Sequence, residues 1–187
     1  MTIYYTDGFA GGRSESRALL ERSIAAYTGD AEKAHELVSA VREGEMGKPY
    51  IVGFRHFSVS HTGKIWAVLI SGSECGLDIQ LAKKCDAKAI ANRIFAPGDA
   101  AVIETSSGKE AGSAQAEFFR IWCRREALVK ATGGSVYESD IPSVMPDRVI
   151  INDSVYRIED IWFPDLPDLY SAVCIKGGMQ EPGFIRL

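Results

Sequence analysis

Hydrophobic residues recur at helical spacing in several stretches of the chain. The clearest stretch runs from residue 114 to 131 and stops at Gly133-Gly134, a common signal for the end of a helix. Apolar positions three and four residues apart predict further helices at 16–27, 31–42 and 87–95. The chain therefore contains at least four amphipathic helices.

Between these helices lie short runs of branched and aromatic residues that predict strands. They fall near residues 3–5, 50–52, 57–60, 65–71, 76–80, 149–151, 156–162 and 170–175. Helices and strands do not alternate regularly enough for a doubly wound parallel sheet, so the pattern predicts an α+β fold. The Gly/Ser-rich break at 71–73 divides it into an N-terminal α+β half, residues 1–72, and a C-terminal α+β half, residues 73–187.

Composition excludes several classes of protein. With 187 residues, 46% hydrophobic content and a net charge of -4, the chain lacks the basic footprint of general nucleic-acid binders. The longest strongly apolar run, 65–70, is too short to cross a bilayer, and the start lacks a secretory signal, so we expect a cytoplasmic protein without membrane contact. The four scattered cysteines predict reduced thiols and no structural zinc.

One carboxylate stands in an otherwise buried strand. The stretch 76–80 reads Gly-Leu-Asp-Ile-Gln, with Asp78 between two branched apolar residues. Moving an isolated carboxylate out of water costs on the order of several kcal/mol of desolvation free energy. A buried carboxylate therefore normally has a cation, a metal or several hydrogen-bond donors beside it. The pattern therefore predicts a partner for Asp78.

A second anomaly lies on the 114–131 helix. A helical projection places Glu126 inside the apolar face, with Lys130 one turn further on. It assigns Arg120, Arg124 and Ala127 to the outward face. The structural interpretation is an ion pair that only holds the two halves together. The functional interpretation is that charges which interrupt an aromatic face serve a site.

The two anomalies together predict a metal site. Asp78 and Glu126 meeting across a cleft would share one divalent cation. Mg²⁺ fits best, because it is commonly held by one or two carboxylates, waters and phosphate oxygens of the substrate, and no His or Cys cluster competes for a softer metal.

Several motifs, in order, resemble those of one enzyme family. They are Gly-Lys-Pro-Tyr at 47–50, Phe-Ser-Val-Ser-His-Thr at 57–62, Gly-Leu-Asp-Ile-Gln at 76–80, Ile-Ala-Asn-Arg-Ile-Phe at 90–95 and Trp-Cys-Arg-Arg-Glu-Ala-Leu-Val-Lys at 122–130. Their order and intervals are similar to those of the Sfp-type 4'-phosphopantetheinyl transferases, from about residue 17 to 175. These enzymes move the phosphopantetheine arm of coenzyme A to a serine of a carrier protein.

The resemblance implies a fold and a set of roles. Two similar α+β halves would be related by a pseudo-twofold axis, with coenzyme A in the cleft between them. Asp78 and Glu126 would be magnesium ligands, and Glu126 would also take the proton of the carrier serine or position the group that does. Lys130 would contact the pyrophosphate as a catalytic cation. The further cations implied for the phosphates of coenzyme A are Lys48, His61, Arg17 and Arg125.

This chain departs from the family pattern at two positions. Arg125 stands where the family usually has Lys, which keeps the charge and changes the hydrogen-bond geometry. Gln80 stands where many relatives have Glu as a third metal ligand; its amide oxygen can still ligate Mg²⁺, directly or through a water. The expected cost is weaker metal binding.

The resulting hypothesis is a Mg²⁺-dependent, monomeric 4'-phosphopantetheinyl transferase that releases 3',5'-ADP. Its partner would be an acyl or peptidyl carrier protein of fatty acid, polyketide or nonribosomal peptide synthesis. Two basic surfaces are candidates for docking an acidic carrier: Arg120 with Arg124, and Arg13 with Arg22. The alternatives are a coenzyme A or nucleotide-binding module of the same fold without transferase activity, and a Mg²⁺-dependent phosphohydrolase.

Overall fold

The computed structural model describes residues 1–44, 46–106, 112–135, 137–138, 140–178 and 180–187. Within these residues it contains ten strands and five helices, and it confirms the predicted α+β class. The elements are β1 (Thr2–Thr6), α1 (Arg13–Thr28), α2 (Ala31–Ser39), β2 (Arg42–Glu43), β3 (Pro49–Tyr50), β4 (His56–Thr62), β5 (Ile65–Ser71), β6 (Cys75–Leu81), α3 (Ala87–Ile94), α4 (Pro97–Ser106), α5 (Ser113–Thr132), β7 (Arg148–Ile151), β8 (Ser154–Asp160), β9 (Leu169–Lys176) and β10 (Gly183–Arg186).

Two four-stranded sheets form the frame of the molecule. The first has the order β10-β1-β5-β4, and the second has the order β6-β9-β8-β7. Strand β10, which the pattern did not predict, pairs in parallel with β1, whereas the other pairs within these two sheets are antiparallel. A small hairpin of β2 and β3 lies where a strand was expected at 50–52. Helix α2 ends at Ser39, three residues before the predicted end at 42, because β2 begins at Arg42.

Local chemistry explains where the helices begin and end. The Asp30 carboxylate accepts a hydrogen bond from the Lys33 backbone N–H and caps the start of α2. Gly29 and Gly133 adopt the left-handed conformation at the ends of α1 and α5, where residues with a Cβ are disfavoured. The glycine pair at 133–134 therefore ends the longest helix, as its sequence predicts.

The core is arranged in layers. Strand β5 is buried along its whole length because its two faces serve different clusters: Trp66, Val68 and Ile70 pack with α1 and α2, whereas Ile65, Ala67 and Leu69 pack with residues of the second sheet. Strand β6 turns Cys75, Leu77 and Ile79 toward that same intersheet cluster. Its alternate residues Gly76, Asp78 and Gln80 lie on the other face, and α5 packs closely against β6.

The outward position predicted for Arg124 is wrong. Its side chain is 2% exposed; its Nε donates to the Val144 carbonyl at 2.7 Å, and it forms ion pairs with Asp147 and Asp160. Helix α5 contacts β6, β8 and β9 as well as α3 and α4, so it has no single solvent face. Arg120 is partly buried and pairs with Asp160 and Glu117. Because their charges are already paired, Arg120 and Arg124 do not form the predicted docking surface.

Two further findings concern the cysteines and the helices in the described part of the chain. All four cysteines are free, and burial raises the pKa of the Cys75 and Cys174 thiols to about 12. In the residues that the structure describes, we find no helix with the length and apolar character needed to cross a bilayer.

Candidate functional site

Close packing of α5 on β6 creates the site. A Cβ added at Gly76 would lie 1.8 Å from the Ala127 carbonyl oxygen and 2.7 Å from the Ala131 nitrogen. Both atoms belong to the helix backbone, so only glycine permits this approach. The small residues Ala127 and Ala131, one turn apart, are fully or almost fully buried at the contact. The approach places Glu126 and Lys130 of the same helix beside Asp78.

Asp78 has the partner that its sequence context predicted. The carboxylate is buried, and its Oδ1 accepts hydrogen bonds from the Lys130 Nζ at 2.6 Å and from the Ser60 hydroxyl at 2.9 Å. Its Oδ2 is also buried and has no hydrogen-bond partner among the described residues. One oxygen of this carboxylate is therefore held by an ion pair, while the other is buried without a hydrogen-bond partner among the described residues. The carboxylate also contributes, after burial, to raising the pKa of the nearby Cys123 thiol.

Glu126 is electrostatically coupled to Asp78. Burial and, next, the Asp78 carboxylate raise the pKa of Glu126, while Lys130 and Arg125 partly oppose this rise. Unlike Asp78, Glu126 forms no ion pair in the described part of the chain. Each of these two carboxylates disfavours the negative charge of the other in a partly buried environment. A divalent cation bound between them would offset this repulsion.

Lys48 joins these residues from the N-terminal part of the chain. Its Nζ donates to the carbonyls of Cys75 and Ala131 at 3.2 and 3.1 Å, and burial lowers the pKa of this lysine. Lys48, Glu126 and Lys130 line one groove of about 350 Å³. The structure thus brings together a metal-ligand candidate and two phosphate-binding candidates from distant parts of the sequence.

The residues fit Mg²⁺ better than a softer metal. The described residues include no group of three or more His, Cys, Asp or Glu side chains positioned to hold a metal. Two carboxylates with an unpartnered, buried oxygen on Asp78 match an ion that keeps several waters and takes its remaining ligands from phosphate oxygens. Asp78 and Glu126 are the residues that would hold it.

Gln80 lies on the same face of β6 as Asp78, two residues further along. Its side chain lines a second groove of about 500 Å³, whose walls are mainly aromatic and aliphatic. The other lining residues are Lys83, Cys85, Ile90, Arg93, Ile94, Phe118, Phe119, Trp122 and Tyr137. Gln80 therefore stands between the carboxylate site and an apolar groove.

Three predicted phosphate-binding residues lie elsewhere. Arg17 is exposed on α1, and its Nη2 donates to the Val38 carbonyl at 3.0 Å. His61 is exposed on β4, with its ring 5.2 Å from that of Phe9. Arg125 is 1% exposed, and its Nη2 donates to the Glu138 carbonyl at 2.9 Å. These side chains do not line the groove of Lys48 and Lys130, and their predicted roles remain predictions.

Sequence reasoning gave no role to Ser60 or Gly76. Ser60 contacts both Asp78 and Lys130, and Gly76 permits the close approach of the helix. The signal for Gly76 was present in two small residues spaced four apart, Ala127 and Ala131, on a helix whose other buried residues are mostly large. For Ser60 the signal was a hydroxyl at every second position of β4.

Comparison with known proteins gives a consistent result. Residues 74–154 match the family described as the 4'-phosphopantetheinyl transferase superfamily. That segment contains Asp78, Gln80, Glu126 and Lys130. The residues that form the carboxylate site from the C-terminal part of the chain therefore all lie within the matched segment.

Curated relatives agree with the family match. The chain is 33% identical over 114 residues to 4'-phosphopantetheinyl transferase AcpT of Salmonella typhimurium, which covers 58% of each protein. It is 35% identical over 137 residues to AcpT of Escherichia coli K12, covering 70% of this chain and 63% of that relative. Identity to 4'-phosphopantetheinyl transferase gsp of Aneurinibacillus migulanus is 30% over 138 residues, 71% of this chain and 56% of the relative. The matches thus span less than two thirds of these relatives' length.

Proposed function

We propose that the protein, whose residues 74–154 match the 4'-phosphopantetheinyl transferase superfamily, transfers the 4'-phosphopantetheine arm of coenzyme A to a serine of an acyl or peptidyl carrier protein. The observation that carries this proposal is the meeting of Asp78, Glu126 and Lys130 with Lys48. One carboxylate and two ammonium groups line the groove, and the buried Asp78 carboxylate pairs with one of those ammonium groups. A pyrophosphate bound with a divalent cation requires charges of both signs of this kind.

The reaction needs one bond made and one broken at phosphorus. The carrier serine oxygen attacks the phosphorus next to pantetheine, the P–O bond to the second phosphate breaks, and 3',5'-ADP leaves. Glu126, which lies on the same groove as Lys48 and Lys130, would receive the serine proton or position the group that does. Lys130 and Lys48 lie on the same groove and stabilise the charge that develops on the leaving phosphate.

Mg²⁺, when bound, would supply positive charge that offsets the negative charge of the phosphate oxygens. Asp78 and Glu126 would hold it, with Gln80 as a ligand through its amide oxygen or a water. Lys130 holds Oδ1 of Asp78, so Oδ2, which has no hydrogen-bond partner among the described residues, would be the oxygen left for the ion.

The apolar groove beside Gln80 suits the pantetheine arm. Its volume of about 500 Å³ and its wall of Phe118, Phe119 and Trp122 match a slender chain that alternates amide and methylene groups. Gln80 supplies an amide at the end nearest Asp78. With the phosphates held by Lys48 and Lys130, the arm would run from the first groove into the second.

The proposed domain arrangement is two similar halves, 1–72 and 73–187, related by a pseudo-twofold axis with coenzyme A in the cleft between them. It is supported by residues from both sides of the division in one site: Lys48 and Ser60 precede it, and Asp78 and Lys130 follow it. Because one chain supplies all four side chains, the monomer suffices.

A different docking surface is proposed in place of Arg120 and Arg124, whose charges are paired within the protein. Lys83, Lys84, Lys88 and Arg93 are all exposed between the end of β6 and the end of α3, with Asp86 as the single acidic residue among them. This basic cluster borders the apolar groove. An acidic carrier would be attracted to it although the enzyme's own net charge is -4.

Charge reversal in the basic cluster tests carrier docking. Lys84 and Lys88 suit the test because neither lines the groove. The double variant Lys84→Glu/Lys88→Glu is expected to raise the KM for the carrier about tenfold, with kcat little changed and a weaker dependence on salt. The matched control, Arg148→Glu/Arg157→Glu, makes the same charge change at two exposed arginines that pair across β7 and β8. Equal effects from both pairs, or none from the first, would remove this surface.

Release of 3',5'-ADP separates the three candidate activities. It is measured by chromatography with coenzyme A alone, with Mg²⁺ added, and with Mg²⁺ and an apo carrier protein. A transferase releases the nucleotide only when all components are present. A binding module binds coenzyme A, with little dependence on Mg²⁺, and releases nothing. A phosphohydrolase releases product without the carrier.

A further inference from the structure

Serine and threonine hydroxyls join the two sheets at the edges formed by β4 and β6. At every second residue of β4 a hydroxyl oxygen accepts a hydrogen bond from a backbone N–H of β6, at 3.0, 3.3 and 3.2 Å in turn. The pairs are Ser58 with Leu77, Ser60 with Ile79, and Thr62 with Leu81. These side chains occupy the position that a carbonyl would take in an ordinary ladder, so they set the register of β4 against β6.

Ser60 makes more contacts than its two neighbours. Besides the Ile79 N–H, its oxygen accepts a hydrogen bond from the Lys130 Nζ at 3.1 Å, and its hydroxyl donates to Oδ1 of Asp78 at 2.9 Å. A serine hydroxyl has one proton and two lone pairs. Because both lone pairs of the Ser60 oxygen accept hydrogen bonds from N–H donors, its proton is donated to the Asp78 carboxylate.

This saturation fixes the orientation of Asp78. Oδ1 is held by Ser60 and Lys130, whereas Oδ2 remains buried without a partner among the described residues. A carboxylate held at one oxygen cannot turn freely about its last torsion. The free oxygen is thereby kept in one position before any ligand arrives.

We propose that Ser60 is a positioning residue that holds Oδ1 of Asp78 so that Oδ2 is presented to the divalent cation. This inference rests on the metal site of the proposed function. Ser60 itself would touch neither the transferred group nor the cation. Its effect would appear in the concentration of metal that the protein needs.

The variant Ser60→Ala tests this directly. It is expected to weaken Mn²⁺ binding, measured by electron paramagnetic resonance on the free protein, about tenfold. The Mg²⁺ concentration for half-maximal transfer should rise by a similar factor, with kcat at saturating Mg²⁺ much less affected. Ser60→Thr, which keeps the hydroxyl, should restore metal binding.

Ser58→Ala is the matched control. Ser58 is as buried as Ser60, and its alanine variant loses the equivalent hydrogen bond to β6. In the described part of the chain the Ser58 hydroxyl makes no hydrogen bond to Asp78. Both alanine variants should therefore lose a similar amount of stability, while only Ser60→Ala changes metal affinity. Equal metal affinities for the two variants, or no Mn²⁺ binding by the unaltered protein, would overturn the proposal.

Misfolding of Ser60→Ala and a lack of transferase activity can each be separated from failure of the Ser60 proposal. If Ser60→Ala does not fold, Ser60→Cys, whose thiol is a weaker donor of similar size, makes the same comparison with a smaller expected loss. If the unaltered protein transfers nothing to any carrier, the proposed function fails, yet the Mn²⁺ measurements still decide the role of Ser60.

Discussion

Replacing Glu126 with Gln is expected to lower transfer to a carrier protein by at least about a hundredfold while leaving the fold intact. The amide keeps the shape of the side chain but neither carries a negative charge for a cation nor takes up the serine proton. The Mg²⁺-dependent rise in melting temperature should also be lost. Initial rates at saturating coenzyme A, with thermal melting at several Mg²⁺ concentrations, measure both effects.

Stability gives this variant a second, independent signature. Because burial and Asp78 raise the pKa of Glu126, the metal-free folded protein binds its proton more tightly than the unfolded chain does. The Glu126 contribution to stability is therefore greatest at acid pH and is lost as the pH rises from the unfolded value, about 4.3, through the raised folded value. At neutral pH, Glu126→Gln should be at least as stable as the unaltered protein without metal.

A carboxylate on the same helix provides the control. Glu117 pairs with Arg120 at 3.1 Å, and Glu117→Gln should keep transfer close to normal. Near-normal transfer by Glu126→Gln would remove Glu126 from both the metal and the proton-acceptor roles. A large loss of stability at neutral pH in that variant would instead indicate that its charge is structural.

Gly76→Ala is expected to cost about 3 kcal/mol or more in the free energy of unfolding, the upper end of overpacking effects. Its Cβ would lie 1.8 Å from the Ala127 carbonyl oxygen and 2.7 Å from the Ala131 nitrogen. Because both are backbone atoms, α5 must move away from β6. A displacement of the order of 1 Å would also lower the activity of the remaining folded protein about a hundredfold.

Gly98→Ala is the matched control, because a Cβ at Gly98 meets nothing within 4 Å. This residue lies in α4, where Ala is favoured over Gly by roughly 0.5–1 kcal/mol, so the control should be slightly stabilised. Urea unfolding of both variants, followed by circular dichroism, measures the difference. Similar stabilities for the two would contradict the close approach of α5 to β6.

The position of Asp78 could be predicted from the sequence, but its first partner could not. Successive residues of β6 point to opposite faces, and the large apolar side chains lie on the face opposite Gly76, Asp78 and Gln80. The sequence pattern therefore predicts the face on which the carboxylate lies. The charge that meets it comes from Lys130, 52 residues away in the chain. The sequence-based interpretation assigned a shared cation to Asp78; the structure adds an ion pair at one of its two oxygens.

Helix α5 shows why a projection onto a wheel was insufficient. The projection assumes one buried and one solvent-exposed face, and it assigned Arg124 and Ala127 to the exposed one. In the fold the helix lies between a sheet and two other helices, so both residues are buried. The arginine is stable there because carbonyls and carboxylates of a later segment surround it, and those contacts depend on tertiary structure alone.

Strand β10 was missed for a different reason. It has four residues, is largely exposed, and lacks the alternation that marks a half-buried strand. Its place at the edge of the first sheet depends on β1, at the opposite end of the chain. Short edge strands of this kind are defined by the partner that they find rather than by their own pattern.

Gln80 distinguishes the proposed metal site from the family pattern. It lies on the face of Asp78 but lines the apolar groove, so the site has two carboxylates where the family pattern often has three acidic ligands. A site with less negative charge needs more Mg²⁺ for the same occupancy. The orientation of Asp78 by Ser60 therefore contributes more than it would in a site with a third carboxylate.

The most direct test of the central claim is the intact mass of an apo carrier protein. The carrier is incubated with this protein, coenzyme A and Mg²⁺, and in parallel with a chelator or with the carrier's acceptor serine replaced by alanine. We predict a gain of one phosphopantetheine group in the complete reaction and no gain in either control. An unchanged mass with several acyl and peptidyl carriers, under conditions where coenzyme A binds, would contradict the transferase function.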